Sequence, residues 1–514
     1  MRTSAPILKL HDDILWRICD ELNCDNTVLV PRMTVLRYTS QVCTSWRRFV
    51  LSASSLWGGI LDIDSLSQKT HDWREEVMSR TGQSPLCVQG YVEGGGVQEE
   101  FVIMILMSHR ARIRQWNLGF GANLSNRTEE MIGWAFQKPA PRLEYFEIDF
   151  AKHPSRFLSK KLCLFADNAP SLRHLSAFHF PIRPQTLLSS KAMCTLRFSG
   201  TNLFTAPELL RVLSCMPLLR TLEIISDEDE LDLPPTQEVQ NMQVVALPQL
   251  LDLKIDAGDA ARKYLTILDH LVMEPRFNFH FRTNRVFPYP SDIATGQRVL
   301  QNYFPLSIDD EEPEELKLLM DNCLILISAR SLFLFSFTME FLEDIADPSI
   351  FLQSISSVSF AGVTSFELHF ISNVVAPAIT NLLPIISTLT SVETLDISDH
   401  TLPFILSLQP TLADGTVLLP CLQRLVLEGF DAEQDLANVI QFLSQRVALG
   451  LPMEELDFGW STCEIDDQDL ERLGQFTGLK VIWCDGDLSR SQRREHVCEA
   501  SGTLLLMMDA PSIV

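Results

Sequence analysis

The sequence runs to 514 residues with a formal charge of −24, 46% hydrophobic and 21% charged residues. A single core stops growing near about 250–300 residues, so the chain holds either several domains or a repeat array. The acid excess argues against a phosphate-backbone partner and against an anionic membrane surface, both of which need basic faces, and leaves basic or neutral proteins as partners.

In chain order, the first ten residues lack the long apolar core of a signal peptide before His11-Asp12-Asp13. Leu10 to Leu22 follows as a short amphipathic helix, with Ile14, Leu15, Ile18 and Leu22 forming one apolar stripe and Asp12 and Asp13 placed for an N-cap and first turn. Asn23-Cys24-Asp25-Asn26 ends it with turn formers, and Pro31 is suited to open a second helix. Leu36, Val42, Cys43, Trp46 and Phe49 then recur at helical spacing, and Leu56-Trp57 adds an aromatic anchor. A module this small buries too little surface to be firmly stable alone, so the remainder suits a partner.

The run Leu10-x-x-x-Ile14-Leu15-x-x-Ile18-x-x-x-Leu22, then Ser40-Gln41-Val42-Cys43-Thr44-Ser45-Trp46-Arg47, then Ser55-Leu56-Trp57, resembles an F-box. That motif usually reads Leu-Pro-x-Glu-Ile-Leu, Val-Cys-x-x-Trp and Leu-Trp. Here His11 replaces the proline, and the segment from Asn23 to Arg32 is longer than usual. The resemblance spans about residues 8–60 and implies docking of a Skp1-type adaptor and, through it, a cullin. It implies Leu10, Ile14, Leu15, Ile18, Leu22, Val42, Cys43 and Trp46 as contact or supporting residues. The histidine removes a rigid apolar contact from that set.

After a connection over residues 61–84, the phrase apolar-x-x-apolar-x-apolar recurs, as in Pro141-Arg142-Leu143-Glu144-Tyr145-Phe146-Glu147-Ile148 and Val392-Glu393-Thr394-Leu395-Asp396-Ile397. Its first apolar positions are 143, 172, 193, 219 and 250, then 363, 392, 422, 453 and 479. The gap between the two series has room for about four more units. Self-similarity at this period signals stacked units, each supplying a short strand, with helical stretches between at Pro207 to Met216, Leu436 to Leu449 and Asp467 to Leu473. The expected class is therefore α/β. The pattern resembles leucine-rich repeats, which implies an irregular solenoid over 85–490 with a curved sheet on its concave side and helices outside, and a cap or tail over 491–514. The asparagine that normally follows each strand is missing, with Asp227, His400 and Phe430 at or near its place. Within 275–360 the phrase fades, leaving Phe277-Asn278-Phe279 and Leu332 to Phe337 as strand candidates. The pairing of both halves resembles F-box proteins with degenerate leucine-rich bodies, common in fungi.

Leu316 to Met339 is the most apolar stretch, but Lys317, Asp321, Asn322 and Arg330 make a membrane span unsuitable. The acidic runs Asp227 to Asp232 and Asp309 to Glu315 read as exposed loops. No P-loop, HExxH, GxSxG or GxGxxG motif occurs, and the 12 cysteines form no CxxC pair. The expectation is a non-enzyme with neither metal nor cofactor, in a reducing intracellular compartment, cytoplasmic and/or nuclear rather than secreted. Function is sought instead on strand positions that face away from the core: Glu147, Arg197, Glu223, Lys254, Glu367, Asp396 and Asp457, with Ser176 and Val426 between them. Their acidic balance suits a protein client that is basic.

Overall fold

The computed structural model describes residues 11–499 apart from 25–31, 68–69, 152–162, 181, 200–203, 227–241, 287–288, 309–311, 322, 342–347, 372–377, 409–416, 430–431, 460–464 and 486–491. Leu10, Asp227 to Asp232, the start of the second acidic run and residues 500–514 therefore lie outside the described residues. The chain is mixed α/β, with mostly parallel strand pairing, and divides into two compact units, the first built mainly from residues 1–228 and the second mainly from 274–514.

The first unit opens with four short helices: α1 (Asp12–Cys24), α2 (Arg32–Thr39), α3 (Thr44–Ser52) and α4 (Ser54–Gly58). Helix α1 packs on α2 and α4, and α2 packs on α3. Pairing into a sheet begins at β1 (Leu61–Asp62), inside the stretch expected to be only a connection. It continues in parallel through β2 (Leu86–Val92), β3 (Ile113–Phe120), β4 (Tyr145–Phe150), β5 (His174–Phe178), β6 (Thr195–Ser199) and β7 (Thr221–Ile225). A parallel neighbour requires a crossover, and helices Val97–His109, Asn126–Phe136 and Ala206–Leu213 supply several. Because strand side chains alternate and the pairs are in register, Trp116, Phe146, Leu175, Leu196 and Leu222 form one buried row. Stacked rings of Phe120, Phe150 and Phe180, with centroids 5.0 and 5.9 Å apart, extend the core past the strand ends. A small parallel pair, β8 (Val245–Leu247) with β10 (Leu271–Met273), completes this unit.

The second unit carries β9 (Asp252–Asp256), β11 (Asn278–Val286), β12 (Glu315–Asp321), β13 (Leu324–Arg330), β14 (Leu334–Phe341), β15 (Ser365–Phe370), β16 (Thr394–Ser398), β17 (Arg424–Glu428), β18 (Glu455–Asp457), β19 (Lys480–Asp485) and β20 (Gln492–Val497). From β15 to β19 every neighbour is parallel. The gap before residue 363, with room for about four further repeats, is filled differently. Strand β11 pairs with β14, which runs antiparallel to β13, which runs antiparallel to β12, which pairs in parallel with β15. The reason is connection length: two or three residues join β12 to β13 and β13 to β14, enough for a hairpin and too few for a helical crossover. Leu316 to Met339 thus folds as three half-buried strands, and no described helix is long and apolar enough to cross a membrane. The missing asparagines are replaced piecemeal. Thr401 Oγ1 accepts from the buried Phe370 N–H at 3.0 Å, and Ser398 Oγ donates to the Phe370 carbonyl at 3.1 Å.

Candidate functional site

His11, where the F-box-like pattern usually has proline, heads α1: its carbonyl accepts from Ile14 and Leu15 N–H, and its Nδ1 accepts from Asp13 N–H at 3.3 Å. It does the capping work assigned above to Asp12, and Asp12 and Asp13 form the first turn. The single apolar stripe expected along α1 is in fact two. Leu15 and Cys19, four residues apart, are buried within the module. Ile14 and Ile18, also four apart, face solvent, Ile14 with 48% of its surface open. Trp16, off that stripe, is also exposed and is fixed by its indole N–H, which donates to Ser55 Oγ at 3.0 Å. Val42 and Tyr38 are open to 54% and 60%.

Trp46 is buried, and Cys43 serves the module itself: its backbone is extended, it caps α3, and its Sγ accepts from Trp46 N–H at 3.4 Å. Of the residues named from the sequence, Ile14, Ile18 and Val42 are therefore surface groups, while Leu15 and Trp46 are core and Cys43 a half-buried cap. The Leu22 side chain, like Leu10, lies outside what is described. Trp16 and Tyr38 were missed by the sequence reading. Trp16 falls two residues from Ile14, off the stripe spacing, and only the presence of both apolar stripes would have pointed to it.

The residues assigned to the outer strand face do align. Glu147, Ser176, Arg197 and Glu223 occupy one in-register row, and Lys317, Glu367, Asp396, Val426 and Asp457 another. Lys254 is exposed on β9. Their electrostatics differ from a bare acidic track. Arg197 Nε stands 3.4 Å from Glu223. Lys317, by a hydrogen bond, and His369, by its proximity, both face Glu367, and together they outweigh the burial that would raise its carboxyl, holding it below the usual range. Asp457 is buried between Arg424 and Arg493, each with a guanidinium nitrogen 2.6 Å from Oδ2. Glu147 accepts from the Tyr145 hydroxyl. The Tyr145 ring stacks at 3.9 Å on His174, whose pKa burial and then Arg197 push down to about 4. Counting acids along the row overlooked the cations of this same chain beside them.

Asp396 is the exception. Burial first, and then the neighbouring Glu428, raise its carboxyl to about 6. One ligand atom from each of His369, Asp396 and Glu428 lies within 4.8 Å of the others, a grouping able to hold a metal ion. The sequence hid it because the three residues come from three successive strands. No protein-family model matches the chain, and no curated protein matches it.

Proposed function

We propose that this chain is the substrate-recruiting receptor of a Skp1–cullin–F-box ubiquitin ligase. The helices α1 to α4 act as the F-box that docks a Skp1-type adaptor, and the strand–helix body acts as a leucine-rich-repeat-like solenoid that holds a target protein, inside the cell in cytoplasm or nucleus. The work is geometric: the receptor raises the target's local concentration beside a ubiquitin-loaded enzyme, and the transfer chemistry belongs to other subunits. The observation that carries this reading is the second apolar stripe of α1. Ile14 and Ile18, with Trp16, Tyr38 and Val42, leave large apolar groups in water on a module of four short helices. Covering an aliphatic side chain of that size contributes about 1.5–3 kcal/mol, enough for a few such residues to hold a partner.

The test is affinity purification of the full chain from cells, comparing wild type with Ile14→Asp/Val42→Asp. The expected result is recovery of adaptor, cullin and ubiquitinated species with wild type, and their loss with the double variant, which touches only exposed positions. Adaptor recovered with no cullin would favour a protein-interaction scaffold outside the ligase. No adaptor from wild type would remove the reading.

A further inference from the structure

A buried histidine on the outer face of the second unit stands among carboxylates without an aligned hydrogen bond to any of them. His369 sits on β15 with its side chain only 8% exposed. Its Nε2 makes no hydrogen bond, although Glu367 Oε1 is 3.0 Å and Asp396 Oδ1 3.8 Å away. Asp396 Oδ1 is likewise buried without a hydrogen bond. Glu428, exposed at the end of β17, brings a third oxygen within 4.8 Å. Lys317, paired with Glu367, is a charged neighbour on the same row, and Asp457 with Arg424 and Arg493 lies two strands from Asp396 on its other side.

We propose that His369, Asp396 and Glu428 form a site for a divalent transition-metal ion bound through one imidazole and two carboxylates. Ligand atoms around such an ion at about 2.0–2.2 Å stand roughly 3–3.5 Å from one another. The observed spacings, all within 4.8 Å, reach that geometry by a shift of about 1–2 Å, which the exposed Glu428 side chain can supply. The donor set of nitrogen and oxygen without sulfur suits zinc, manganese or cobalt rather than copper(I). An ion also answers the two buried atoms that lack hydrogen bonds. Glu367 is the nearest further oxygen, and Lys317 already engages it. The other described grouping, His71 with Asp72 and Glu75, is wholly exposed, and His71 Nδ1 to Glu75 at 3.5 Å is an ordinary pair one helical turn apart.

The site departs from the expectation that the chain holds no metal. It does not depend on the ligase reading, because none of its residues belongs to the helical module. The full chain, stripped with a chelator and dialysed, is titrated with Co²⁺ at neutral pH and followed by visible absorption. The expected result is one equivalent bound with weak d–d bands and without the intense near-ultraviolet band of cobalt thiolate, which distinguishes this site from the 12 cysteines. His369→Gln and Glu428→Gln should each weaken binding at least tenfold, while His71→Ala leaves it unchanged. Glu428 is exposed, so its variant reports on the site even if His369→Gln fails to fold. No saturable uptake, uptake only with the thiolate band, or affinity unchanged in Glu428→Gln would overturn the proposal.

Discussion

Along the body, Leu175, Leu196 and Leu222 lie in one in-register row and are closed to water. In α1 the same density of apolar residues is split, with Leu15 and Cys19 inside and Ile14 and Ile18 outside. A stacked strand hides its apolar face on its neighbours. The thirteen-residue helix α1 packs on α2 and α4, and among the described residues its second stripe stays open. The contrast separates apolar residues that make the fold from apolar residues that the described fold leaves in water.

The largest effect that would sharpen this contrast is in the body. Phe146 is fully buried, with its ring edge-on to Phe136 and Phe165 at 4.9 and 5.2 Å. Phe146→Ala should cost about 3–5 kcal/mol in urea unfolding. Ile14→Asp should stay within about 0.5 kcal/mol of wild type. Equal losses would break the distinction.

A smaller effect is expected from pH. His174, packed against Tyr145 with Glu147 and Arg197 nearby, has a pKa lowered from 6.5 to about 4. Between those values the unfolded chain takes up a proton that the folded chain refuses, so stability is present above pH 6.5 and falls on acidification. Between pH 7 and 5 the wild type should lose about 2 kcal/mol that a His174→Phe variant keeps. Parallel curves for the two would remove histidine burial as the cause.

Asp457→Asn comes next, at about 1–2 kcal/mol, because Arg424 and Arg493 are half open to water and recover part of their solvation. Its midpoint in urea measures this. The smallest is Cys43→Ala, about 0.5 kcal/mol, since sulfur is a weak acceptor at the head of α3. Cys43→Ser should recover it, and neither change should weaken adaptor capture if Cys43 acts only as a cap.

Much of the body was legible because the repeat phrase alternates. Leu395, Ile397, Leu425 and Leu427 were placed inward by period alone, and Asp396 outward with them. Strands β2 and β3 escaped because Leu86-Cys87-Val88 and Ile113-Arg114-Gln115-Trp116 alternate without repeating the leucine phrase. The hairpins of β12 to β14, in a gap that had room for about four repeats, were not legible because a period predicts spacing and says nothing of strand direction, which the short turns decide. In α1, hydrophobicity could not separate Leu15 from Ile14, since both are large aliphatics one residue apart and only the packing of α2 and α4 chooses between them. The His369 grouping was invisible for a different reason: its members meet only when β15, β16 and β17 are laid side by side.

The central claim is that the Ile14 and Ile18 stripe exists to be covered. Calorimetric titration of the purified full chain with a purified Skp1-type adaptor tests it directly. The account predicts one-to-one binding that weakens at least tenfold in Ile14→Asp and in Ile18→Asp, with unfolding curves unchanged. Binding of undiminished affinity in both variants, or no binding by the wild type, would contradict it.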